Sequence, residues 1–134
     1  MNIALLNCGL LGLLLICLSF TVSMARLKAQ TGFGFGEDSK SFLSKAIRAQ
    51  GNAAEYVPAF IVLILILSLY GAPGWANWLF FAATLSRYLH AAGMLMSSNL
   101  NNPQALRFIG SVGTYLCGFL LSGLVIAAAF DAAI

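Results

Sequence analysis

Charge is scarce in this sequence. Only 8% of its 134 residues are charged while 60% are hydrophobic, against ~25% charged and 45–50% apolar residues in an ordinary soluble domain. That balance excludes a soluble fold, and a mean hydropathy of +0.91 excludes a disordered segment, which needs low hydrophobicity and high net charge. Cysteine is sparse as well. Cys8, Cys17 and Cys117 form no CxxC or Cys/His spacing, so neither a disulfide framework nor a zinc site is expected, and all three read as small apolar packing residues. An integral membrane protein is what remains.

The gaps between charges delimit its architecture. The charged residues are Arg26, Lys28, Glu37, Asp38, Lys40, Lys45, Arg48, Glu55, Arg87, Arg107 and Asp131, leaving 1–25, 56–86, 88–106 and 108–130 uncharged. A helix crosses the hydrocarbon core with ~20 apolar residues. The sequence therefore predicts an all-α, four-helix transmembrane bundle as one domain over 1–134, with helices about 2–26, 39–70, 75–96 and 103–130. The first stretch could pass for a secretory signal, but no basic residue precedes Arg26, so it is expected to stay as a helix.

Local signals set the boundaries. Thr31–Asp38 has the glycine density of a loop. Asp38 or Ser39 can cap helix 2, with Glu37 and Asp38 at the positive end of its dipole. Gly71-Ala-Pro-Gly74 is a tight turn that makes helices 2 and 3 a hairpin, and Trp75 and Trp78 fall where an interfacial aromatic belt belongs. Asn102 before Pro103 reads as the cap and first position of helix 4. Along that helix Gly110, Thr114, Gly118 and Ser122 recur every fourth residue, a small-residue stripe for close helix packing.

Orientation follows from the short loops. Arg26, Lys28, Lys40, Lys45 and Arg48 flank the first connection, while the termini and the Gly71 turn carry no Lys or Arg. The positive-inside rule then puts that connection in the cytoplasm and both termini on the other side. The formal charge of +3 is thus a topology signal and gives no support to a nucleic-acid partner.

Glu55, Arg87 and Arg107 interrupt apolar helices, each at a cost of ~2.5–3.5 kcal/mol even on the lenient insertion scale. Counted from the Gly71 turn, Glu55 lies ~22 Å and Arg87 ~18 Å deep, and Arg107 follows soon after its cap, so the three converge on one cytoplasmic layer. Arg48, Asn52 and Glu55 share a face of helix 2, and Arg87, His90 and Met94 share one of helix 3. One reading is a structural ion-pair layer centred on Glu55. The other is an anionic, multi-carboxylate ligand, because arginines outnumber the acid and an uncompensated buried cation is costly. His90 and Tyr56 fit either reading, as structural residues or as polar handles. Pro58 loosens the backbone nearby in both.

The segment Arg48-Ala-Gln-Gly-Asn52-Ala-Ala-Glu55-Tyr56-Val-Pro58 resembles the R-x-x-x-N-x-x-E-x-x-P signature on helix 2 of the MAPEG family, the membrane-associated proteins of eicosanoid and glutathione metabolism. The likeness extends to Arg26-Leu-Lys28 at the end of helix 1, to Arg87 and His90 on helix 3 and to Arg107 on helix 4. It implies a homotrimer of four-helix bundles that holds glutathione between subunits near the cytoplasmic face. By position it implies glutathione contacts at Arg26, Arg48, Gln50, Asn52, Glu55 and Tyr56, with Arg87 and His90 beside them, and Arg107 activating the thiol. Arg87 and His90 look more like the prostaglandin E synthase branch, but Met94 stands where relatives often carry a tyrosine, which points to simple glutathione transfer.

The implied chemistry is attack by glutathione thiolate on a lipophilic electrophile or lipid hydroperoxide arriving from the bilayer. A free thiol has a pKa of ~8.5 and is mostly protonated at neutral pH. A permanently charged arginine that lowers it by two units supplies ~2.7 kcal/mol. Two other functions stand beside this one: a four-helix multidrug or proton-coupled exporter using Glu55, and a lipid-binding relative without catalysis. Against the exporter, Glu55 lies off the midplane and Arg87 and Arg107 repel a cationic substrate.

Overall fold

A computed structural model of the chain describes residues 2–34 and 38–131. Four helices make up the fold: α1 (Ile3–Lys28), α2 (Phe42–Leu69), α3 (Ala76–Met96) and α4 (Ala105–Asp131). Three of them, α1, α2 and α4, are long and apolar enough to span a membrane. α3 is less apolar because it carries Ser86, Arg87 and His90, yet its 21 residues still reach ~32 Å. Those polar residues are buried, so α3 turns its polarity inward.

Helix pairing explains how. α3 packs against α4 most extensively and α1 against α2 next; α3 also touches α1 and α2, whereas α1 and α4 do not meet. Neighbours alternate in direction. Cys8 faces Ile61, with its Sγ 3.9 Å from that carbonyl, Asn52 pairs with Arg87, and Tyr56 pairs with Tyr115. α1 and α3 therefore run parallel, tied by the Tyr88 hydroxyl donating to Leu10 O at 2.9 Å. The apolar core gathers Leu11, Leu14 and Leu18 of α1, Val57, Phe60 and Ile64 of α2, Phe80 of α3 and Leu121 of α4.

The α3–α4 contact is built on small residues. A Cβ on Gly110 would strike the backbone of His90, one on Gly93 the backbone of Arg107, and one on Gly113 the side chain of Ser86. The small-residue stripe of α4 is thus used within the chain: Gly110 on α3, Thr114 on Arg87, and Gly118 against Phe60 of α2.

Two helix starts differ from expectation. Ser41 caps α2, its Oγ accepting from Ser44 N at 3.1 Å, while Asp38 closes a turn by accepting from Lys40 N. Glu37, expected beside the dipole, lies outside the described residues. α4 starts at Ala105, two residues after Pro103. Gln104 Oε1 accepts from Arg107 N at 2.7 Å, because the longer side chain reaches back to the free N–H groups that Asn102 was expected to meet. At the other end Gly71 takes φ +80°, a left-handed conformation that suits glycine, and closes the α2–α3 turn. Trp75 and Trp78 are exposed beside it. The cysteines are free: Cys117 is buried, Cys8 half-buried, and Cys17 faces outward.

Residues 29–34 and 38–41 and the loop 97–104 share the opposite end, joined by Leu100 N donating to Ser39 O at 3.2 Å. That places the basic flanks of α1 and α2 beside the start of α4.

Candidate functional site: a buried arginine beside the polar face of α2

Arg87 is the centre of the site because of where α3 sits. Like α2, α3 touches all three other helices, and the arginine that it carries is 1% exposed, the largest fully buried side chain among those described. Its Nη2 donates to Asn52 Oδ1 at 2.7 Å and its Nη1 to Thr114 Oγ1 at 3.1 Å. Thr114 in turn donates to Gly110 O at 2.7 Å, so its lone pairs are oriented toward the guanidinium. The guanidinium carbon lies 5.1 Å from the centroid of the Tyr56 ring, a cation–π contact. All these partners are neutral. The Nε has no partner among the described residues.

Tyr56 bridges to α4. Its hydroxyl donates to the Tyr115 hydroxyl at 3.2 Å, and the rings meet edge to face with centroids 6.0 Å apart. Arg48 and Glu55 lie on the same side of α2, both exposed. Among the described residues neither forms an ion pair, so a structural salt-bridge layer centred on Glu55 is not what these helices build. Glu55 is near enough for its charge to act on Arg87, without touching it.

His90 follows Arg87 by one turn of α3, buried, with Nδ1 unpartnered among the described residues. The charges of both Arg87 and Arg107 reach it. Arg107 itself turns to the loop: Nη1 donates to Leu100 O at 2.7 Å and Nη2 to Asn102 O at 3.1 Å. Arg26 likewise holds a loop, donating from Nη2 to Gly34 O at 3.0 Å, with Nη1 buried and without a partner among the described residues. Gln50 is half-buried and, two residues on from Arg48, ~200° around α2, lies away from the Arg48–Asn52–Glu55 face.

Asn52, Tyr56, Arg87 and His90 are thus brought together in one chain, with Arg48 and Glu55 on their rim. Arg26 is engaged with Gly34, and Gln50 lies off this face of α2. Thr114 and Tyr115 were missed in the sequence. Thr114 was visible only as a small residue in a packing stripe, and nothing in spacing marked it as an acceptor for arginine. Tyr115 carries no sequence signal, since only the parallel packing of α4 on α2 sets it opposite Tyr56.

A four-helix membrane bundle with a buried, uncompensated arginine behind a polar helix face defines the class of protein. The MAPEG family profile matches residues 4–127, nearly the whole chain, and the protein belongs to the MAPEG family. It is similar to inner membrane protein YecN of Escherichia coli strain K12, 41% identical over 61 residues. The same protein from Escherichia coli O6:H1, strain CFT073, matches equally. The matched stretch covers 46% of this chain and 47% of the K12 protein, about half the length of each.

Proposed function

We propose that this protein is a membrane glutathione transferase that binds the tripeptide as an anion against Arg87 and the polar face of α2. One observation carries the reading: a fully buried guanidinium whose partners are all neutral, held by Asn52 on the same face of α2 that carries exposed Arg48 and Glu55. A buried cation without a counter-ion is costly. Glutathione brings two carboxylates and one ammonium, which matches arginines in excess over a single acid.

In this reading Arg48 and Arg26 bind the carboxylates, Glu55 accepts from the ammonium, and Asn52 and Tyr56 hold the peptide. Arg87 supplies charge from beneath, His90 lines the floor, and Arg107 stabilises the thiolate. Gln50 lies off this face of α2 and Arg26 is committed to Gly34, so in this reading both come from a neighbouring copy, as in a homotrimer with sites between subunits. The cytoplasmic end is the one with the joined loops, and both termini lie on the other side. The electrophile enters from the bilayer. Sulfur attacks its carbon, the C–S bond forms, and the leaving group departs with the electron pair.

Isothermal titration of glutathione into the detergent-solubilised protein tests binding, and conjugation of 1-chloro-2,4-dinitrobenzene tests catalysis. Saturable binding, with conjugation lost in Arg107→Ala, is expected. Because Arg107 also holds Leu100 and Asn102, Arg107→Lys is measured beside it. Binding without conjugation would leave a non-catalytic family member, and absence of both overturns the reading.

A further inference from the structure

Four side-chain atoms inside the bundle have no hydrogen-bond partner among the described residues: Asn7 Oδ1, Thr84 Oγ1, Arg87 Nε and His90 Nδ1. Three of them sit on successive turns of α3, about 9 Å of helix. Buried polar atoms are ordinarily met by protein or internal water, and each one left dry costs ~1–3 kcal/mol. Asn7 and Thr84 play no part in the ligand reading, since they lie beyond Arg87 on the side away from the joined loops.

A 220 Å³ cavity opens at that far end, lined by Asn2, Ala4, Ser68, Asn77 and Phe80 among others. At ~30 Å³ per molecule it holds several waters. Its walls also give the register. α1 and α3 run parallel, and Ala4 and Phe80 line the same space, so one turn deeper come Asn7 on α1 and Thr84 on α3. They are 0% and 5% exposed. The Asn7 amide nitrogen is committed to Ile3 O at 2.9 Å, which leaves Oδ1 as an acceptor. The Thr84 hydroxyl donates and accepts. One further turn along is Arg87, whose Nη atoms are taken by Asn52 and Thr114 and whose Nε–H remains a donor. Acceptor, hydroxyl and donor in this order are what a short file of water molecules can link.

We propose that water enters from this cavity and runs past Asn7 and Thr84 to the Nε of Arg87, so that the buried cation is hydrated from the face opposite the joined loops. The path solvates the guanidinium while no anion is bound, and it is separate from the rim formed by Arg48 and Glu55.

Thr84→Val, equal in shape but without the hydroxyl, tests it. If water meets the hydroxyl, the substitution strands that water and Asn7 Oδ1, and the Tm of the detergent-solubilised protein falls by about 3 °C or more. An unchanged or raised Tm means a dry hydroxyl and overturns the proposal. Independently, in a chain with Cys8, Cys17 and Cys117 replaced by alanine, Thr84→Cys is treated with 2-aminoethyl methanethiosulfonate and followed by intact mass. It reacts about tenfold faster than the comparably buried Leu14→Cys and Leu18→Cys if water reaches it. Equal rates at the three positions overturn the proposal.

Discussion

At the scale of the residue, the site separates side chains that hold the bundle from side chains that only face outward. Asn52 belongs to the first kind. Asn52→Ala removes one of two hydrogen-bond acceptors from a buried guanidinium, so chemical or thermal unfolding should show a loss of ~1–3 kcal/mol. Glu55 belongs to the second, being exposed and unpaired among the described residues. Glu55→Gln should leave stability within ~0.5 kcal/mol of the parent, while glutathione affinity, read by titration, falls about tenfold for one lost charge-assisted contact. Equal losses of stability and affinity in Glu55→Gln would return the residue to a structural role. The sequence made Arg87 visible because an arginine in an apolar run is conspicuous. It could not reveal that Asn52 and Thr114, from two other helices, hold it, since those contacts depend on helix rotation. Arg107 stood out equally, yet its commitment to Leu100 and Asn102 depends on where α4 starts, two residues later than Pro103 suggests.

At the scale of the element, the α3–α4 crossing depends on glycine. Gly110→Val sets a branched side chain against the His90 backbone and must part the two helices, at a cost of ~1–3 kcal/mol or more. Gly123→Ala on the same helix meets nothing within 4 Å and should be neutral or stabilise by up to ~1 kcal/mol through helix propensity. Thermal unfolding of the two variants side by side checks the contrast. Helix number and the Gly71 turn could be read from charge gaps and from Gly and Pro placement. The α2 cap could not: Asp38, Ser39 and Ser41 are all competent caps, and only the path of the loop, tied to Leu100, selects Ser41. The stripe on α4 was legible as a packing face, but its partner was not, because i, i+4 spacing says which residues align and not which helix they meet.

At the scale of the whole molecule, the proposed site draws Arg26 from a neighbouring copy. Arg48→Ala and Arg26→Ala chains, each unable to bind glutathione alone, should regain binding when coexpressed. With random mixing in a symmetric ring, about a quarter of the interfaces pair two intact halves. No recovery in titration of the mixed protein would place both arginines in one subunit's site or outside any site. Topology is tested separately, with alkaline phosphatase fused after Ile134 expected to be active and a cytoplasmic reporter at the same position silent.

The two tightest helix partnerships, α1 with α2 and α3 with α4, each join sequence neighbours, and the Gly71–Gly74 turn lies between them. The polypeptide is in effect two hairpins strung on one thread. Severed at that thread and made as separate pieces in the same cell, they should find each other in the lipid and rebuild the arginine pocket, because nothing in its construction depends on the link.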